Sequence, residues 1–170
     1  MGNLLEIQYD INAKAVMPKN ILEEQCSYLN KMTNEIIIGR VEEYSGNIDS
    51  YITPGFSDAL KPLNEIFTEK KVNIQSALGE MGERQFTYEF FLTSRVTPDY
   101  KFRVLFMQYG IMGYPVKIVL EEGIADEIDA EHGYIYSVQS QEEYEEVLGK
   151  VLNSTRITNI VTRLIQMYNN

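Results

Sequence analysis

The chain has 170 residues, a length typical of one domain that buries its own core without disulfides. Apolar residues make up 44% and charged residues 24%, which excludes wholesale disorder, and the single cysteine excludes an internal disulfide framework. The formal net charge is -10. With no signal-peptide pattern and no apolar run long enough to cross a bilayer, we expect a single cytoplasmic domain over residues 1–170.

The first half of the chain carries alternating helix and strand signals. Asn20 followed by Glu23 is a helix-start pattern, and apolar residues including Cys26 and Met32 then recur at helical spacing. A β-branched run after this helix indicates an extended segment. The predicted elements are strands at 4–9, 35–44 and 48–52, and helices at about 20–34 and 57–71.

Four strands are predicted in the centre of the chain, from alternating apolar and polar residues. The second of them is apolar on both faces, which indicates a central position in the sheet. Short connections favour antiparallel neighbours, and the longer link over 122–133 has room for a helical turn. The predicted strands are 86–93, 102–109, 114–121 and 134–138.

The C-terminal third has the best helix signals. Ser140 and Glu143 form a capping box, and two amphipathic stretches follow, separated by a break at 153–155. The predicted fold class is α+β, with a mainly antiparallel sheet of about 5-6 strands. We expect an N-terminal helix and a C-terminal helical hairpin to pack on that sheet.

The net charge is concentrated in one segment, because no Lys or Arg lies between Lys117 and Lys150. Without the ten acids of residues 121–146 the chain would be balanced. Four of the ten occupy the first turns of a predicted helix, where the helix dipole favours negative charge. The other six lack such an explanation, and we predict that they bind a basic protein partner. They are Glu121, Glu122, Asp126, Glu127, Asp129 and Glu131.

Acidity of this kind disfavours binding to nucleic acids or to anionic membranes, both of which require a basic face. No catalytic, cofactor or metal motif is found: Cys26 lies on an apolar helix stripe, and His132 is the single histidine. One Cys and one His cannot form a tetrahedral zinc site, so no metal or cofactor is predicted. Most tyrosines near the central strands are expected to pack within the fold.

Three functions remain open. The first is a non-enzymatic protein-binding domain that docks a basic partner, which the ten-acid segment and the absence of catalytic motifs favour. In size, acidity and single-domain organisation the chain resembles the immunity proteins of polymorphic toxin systems. The resemblance implies that it neutralises a cationic toxin by covering its active site. The alternative is a small-molecule-binding or enzymatic α+β domain, with a pocket lined by Tyr and Phe between sheet and helices. The third is a structural or assembly subunit, and the sequence leaves the oligomeric state open.

Overall fold

The computed structural model describes residues 7–8, 10–13, 15–48, 84–128 and 135–170. The helix predicted at 57–71 lies outside these residues, as do most of the strands predicted at 4–9 and 48–52. Asp129, Glu131 and His132 also lie outside them.

The described strands form one antiparallel sheet in chain order, from β1 to β5. This arrangement confirms the predicted α+β class, and it places β3 at the centre of the sheet, as its apolar residues predicted. The elements are α1 (Pro18–Met32), β1 (Ile37–Glu43), β2 (Phe86–Ser94), β3 (Phe102–Tyr109), β4 (Val116–Leu120), α2 (Glu122–Ile128), β5 (Ile135–Val138), α3 (Gln141–Leu152) and α4 (Thr155–Tyr168).

Each strand turns alternate side chains toward the helices, because the side-chain period of a strand is two. Phe90 on β2 and Leu105 on β3 lie opposite one another and are buried in the main core. The other face of β3 is apolar as well, since the rings of Phe106 and Tyr44 lie 4.5 Å apart there. Burial on both faces explains why β3 needs apolar residues at successive positions.

Helix α1 begins two residues earlier than the sequence pattern predicted. Pro18 takes the first helical position, where its fixed φ suits a helix and its missing N–H is not needed. Asn20 is therefore not the residue that precedes the helix. Its Oδ1 instead accepts the N–H of Met17 at 3.0 Å, which still caps the helix start.

The C-terminal helices begin where the sequence predicted. Ser140 Oγ accepts the N–H of Glu143 at 3.2 Å at the start of α3. In the predicted break, Ser154 Oγ accepts the N–H of Ile157 at 3.3 Å and starts α4. Because Ser154 caps α4 so soon after α3 ends at Leu152, the two helices are joined by a short link.

In the described chain, buried side chains pack between the sheet and the helices. Tyr144 of α3 is fully buried, and its hydroxyl donates to Met107 Sδ on β3 at 3.3 Å. Its ring also meets Tyr114 edge-on, with ring centroids 6.4 Å apart. These contacts join α3 to the middle of the sheet, so the position of α3 is set by the core.

Candidate functional site

Most acids of the acidic segment form no ion pair within the part of the chain that the structure describes. Eight of its ten acids lie in described residues, and two of these form ion pairs there: Glu121 with Arg156 at 3.2 Å and Glu146 with Lys150 at 2.8 Å. The other six form no ion pair with the described part of the chain. Among the described residues, acids therefore outnumber their basic partners around α2 and α3.

Two of the predicted partner-binding acids have structural roles. Glu121 Oε2 accepts the N–H of Ile124 at 3.0 Å, at the beginning of α2. Glu127 accepts the N–H groups of Thr155 and Arg156, the first residues of α4. These hydrogen bonds lower the pKa of the Glu127 carboxyl, because they stabilise its charged form. Sequence reasoning missed this role, since the capped helix begins far along the chain from Glu127.

Two other predicted acids remain available to a partner. Glu122 and Asp126 lie one turn apart on α2, and their carboxylates form no hydrogen bond or ion pair with any residue that the structure describes. Helix α2 contacts both α3 and α4. The last two, Asp129 and Glu131, lie outside the described residues. The six predicted residues thus divide into two that cap helices, two that are available and two that are not described.

A groove of about 570 Å³ runs between α1 and α3, next to the start of α4. Its walls are mostly apolar, and several are exposed: Val16 is 60% exposed, Tyr28 50% and Met32 82%. Met32 was predicted to lie on the buried stripe of α1, but its side chain is exposed at the open side of the groove. The apolar lining consists of Val16, Ile21, Tyr28, Leu29, Met32, Leu148, Leu152 and Ile157.

Carboxylates and amides border this α1–α3 groove. Glu24 of α1 accepts a hydrogen bond from Tyr28 at 3.0 Å, and Glu145 of α3 accepts one from Gln141 at 2.7 Å. Among the described lining residues there is no Lys, Arg or His. Glu142 lies one turn before Glu145. The pKa of the nearby Tyr114 is raised mainly by burial of its hydroxyl, and the negative charges of Glu145 and Glu142 raise it further.

Gly149 lines the same groove in the interior of α3. A Cβ built at this position meets nothing within 4 Å. Glycine inside a helix costs about 0.5–1 kcal/mol relative to alanine. Packing within the described chain does not explain this cost, so Gly149 is an unusual residue on the groove floor that the sequence analysis missed.

Among the described residues, Tyr144 and its neighbours occupy part of the space in which the alternative predicts a pocket lined by Tyr and Phe between sheet and helices. Cys26 is buried there too, and burial, with a smaller contribution from Glu23, raises the pKa of its thiol to about 12. A thiol of that pKa is protonated at neutral pH and is a poor nucleophile. In the described ranges no group of three or more His, Cys, Asp or Glu side chains is arranged to hold a metal ion.

Comparison with known proteins gives no assignment: no family model, curated protein or solved structure matches this chain. Of the helices that the structure describes, none combines the length and hydropathy required to cross a bilayer. The α1–α3 groove and the charges around it are therefore the features of the described chain that bear on function.

Proposed function

We propose that this chain is a non-enzymatic protein-binding domain that docks a basic protein partner, as an immunity-type protein docks a cationic toxin. One observation carries the proposal: the α1–α3 groove is open and apolar, and its polar border is acidic. The partner element that fits such a groove is an amphipathic helix with Lys or Arg beside its apolar stripe.

The apolar part of the groove supplies the affinity in this proposal. Helix α3 has 12 residues and is therefore about 18 Å long, which allows a partner helix of about three turns to lie along it. Exposed Tyr28 and Met32 would be covered by such a helix. Burying one large apolar side chain contributes about 1.5–3 kcal/mol before the entropic cost of association.

The carboxylates supply selectivity for a cation. Glu24 and Glu145 face the groove from opposite helices, with Glu142 one turn away on α3. Asp126 lies on α2, whose Glu127 holds the start of α4 near the groove-lining Ile157. Complementary charges of this kind raise association rates and reject acidic partners, and salt weakens both effects.

The bare position at Gly149 supports a close approach by the partner. A helix that packs against another helix comes nearest where a side chain is missing. Since a Cβ at Gly149 would meet nothing within 4 Å in the described chain, the partner is the element that would use this space.

A synthetic peptide provides the test. We would label a helical peptide that carries Leu at every third or fourth position and Lys elsewhere, and compare it with a peptide in which Glu replaces every Lys. Fluorescence anisotropy should show saturable binding of the Lys peptide alone, with an affinity that falls as sodium chloride is raised.

Two double variants locate the charge effect. Glu142→Gln with Glu145→Gln removes two acids next to the groove, and Glu43→Gln with Asp99→Asn removes two exposed acids elsewhere. The first should weaken binding of the Lys peptide and reduce its salt dependence, while the second should leave both unchanged. Equal affinity for the Lys and Glu peptides, or equal effects of the two double variants, would overturn the proposal.

A further inference from the structure

Among the described strands, β1 forms one edge of the sheet and presents unpaired main-chain groups. Tyr44 lies directly opposite Thr87 of β2 and donates its N–H to the Thr87 carbonyl at 2.9 Å. In an antiparallel pair the hydrogen-bonded residues alternate with residues whose N–H and C=O point to the other side. With the unbroken register of β1 on β2, Gly39 and Val41 are of the second kind. Their main-chain groups point away from the sheet and meet no partner among the described residues.

A cleft lies along this edge, between β1 and α1. Its volume is about 340 Å³, and it is lined by residues 39–42 of β1 and by Glu23, Ser27 and Asn30 of α1. The Oδ1 atom of Asn30 is buried and accepts no hydrogen bond from the described chain. An unpaired buried acceptor is costly, and a donor on an added strand would satisfy it.

A second copy of the chain does not fit this edge. The contacts of α1 with the sheet are concentrated on β1. Antiparallel pairing of two β1 strands would place them about 4.8 Å apart, with both α1 helices on the same face. Helices pack about 8–10 Å apart, so the two would collide. A single extended segment adds a strand without bringing a helix.

The charges on the outer face define that segment. Arg40 and Glu42 lie on the face opposite α1, where they form an exposed ion pair with each other at 3.9 Å that a peptide's own charges would extend. Val41 between them points toward α1. We propose that the β1 edge binds an extended peptide of a partner protein by β-strand addition, in antiparallel orientation. Such a peptide carries a base opposite Glu42, a small residue opposite Val41 and an acid opposite Arg40. This site is separate from the α1–α3 groove and does not depend on its function.

The probe is the capped peptide Thr-Thr-Lys-Ser-Glu-Thr-Thr, with Thr-Thr-Glu-Ser-Lys-Thr-Thr as the reversed control. The wild-type protein should prefer the Lys-Ser-Glu peptide. The variant Arg40→Glu with Glu42→Arg, which keeps the net charge, should prefer the reversed peptide. N-methylation of the central serine removes the N–H that bonds to Val41, and should weaken binding by about tenfold or more.

Hydrogen exchange read by NMR tests the edge itself. In the free protein, the amides of Ile38 and Arg40 should exchange slowly and those of Gly39 and Val41 fast. The Lys-Ser-Glu peptide should slow exchange at Gly39 and Val41. Protection of these two amides already in the free protein would show that the edge is covered, and would overturn the proposal.

Asn30→Ala provides a control for folding. The substitution removes the acceptor and should lower the affinity for the Lys-Ser-Glu peptide about three- to tenfold, without lowering the thermal midpoint of unfolding. Unchanged affinity in this variant, or no reversal of preference in the charge-swapped variant, would refute strand addition at this cleft. Loss of binding by the cationic helical peptide would leave this result untouched, so the two proposals fail separately.

Discussion

Replacing Gly149 by alanine should make the protein more stable and its groove less able to bind. The added methyl group meets nothing within 4 Å, so it introduces no clash in the free chain. Alanine in a helix interior is favoured over glycine by about 0.5–1 kcal/mol. For a chain of this size, about 1 kcal/mol raises the thermal midpoint by about 2–4 °C.

The effect on binding should have the opposite sign. The methyl group stands on the floor of the α1–α3 groove, where we expect the partner helix to come closest. Overpacking in a closely packed contact costs about 1–3 kcal/mol, which would lower the affinity for the Lys peptide by about fivefold or more. Gly149→Leu fills more of the groove and should lower the affinity for the Lys peptide further.

Circular dichroism and fluorescence anisotropy measure the two effects on the same samples. A lower thermal midpoint for Gly149→Ala would refute the reasoning, because it would mean that the methyl group is not in open space. Undiminished affinity in Gly149→Leu would show that the partner does not contact the groove floor.

Three further predictions concern the fold that positions the groove. A Cβ at Gly39 would lie 2.9 Å from Cys26 Sγ, so Gly39→Ala should lower the free energy of unfolding by about 1–3 kcal/mol in denaturant titrations, and an unchanged value would contradict the close packing. Cys26, buried and with a pKa of about 12, should resist iodoacetamide at neutral pH and react in guanidinium; rapid labelling of the native protein would contradict its burial. Because folding lowers the pKa of Glu127, its contribution is present above the ordinary pKa of 4.5 and is lost as pH falls through the folded value. Glu127→Gln should therefore lower the thermal midpoint at neutral pH and less at acidic pH, whereas the matched Glu122→Gln should have little effect at either pH.

Local patterns were sufficient to predict most of the architecture. The apolar residues on both faces of β3 correspond to its central position, and Ser140 caps α3 as its spacing with Glu143 predicted. These features depend on residues a few positions apart, or on burial that hydrophobic periodicity reports directly. Met32 shows the limit of periodicity, since it continues the apolar stripe of α1 but extends beyond the edge of the core.

The candidate site was less accessible to sequence reasoning because it depends on long-range contacts. The sequence shows that acids are concentrated in one segment. It does not show that Glu127 caps the distant helix α4, whereas the neighbouring Asp126 has no such role. The groove arises only when α1 and α3 lie side by side. The one local signal for it was Gly149, a poor helix former in the middle of a strong helix pattern.

The most direct test of the central claim is an NMR titration of the isotope-labelled protein with the Lys peptide. We predict amide shift changes concentrated in α1 and α3, including Leu29 and Gly149, and their loss at high salt. Shift changes confined to other surfaces, or none at peptide concentrations that saturate anisotropy, would contradict the claim that an acidic-bordered apolar groove docks a basic partner.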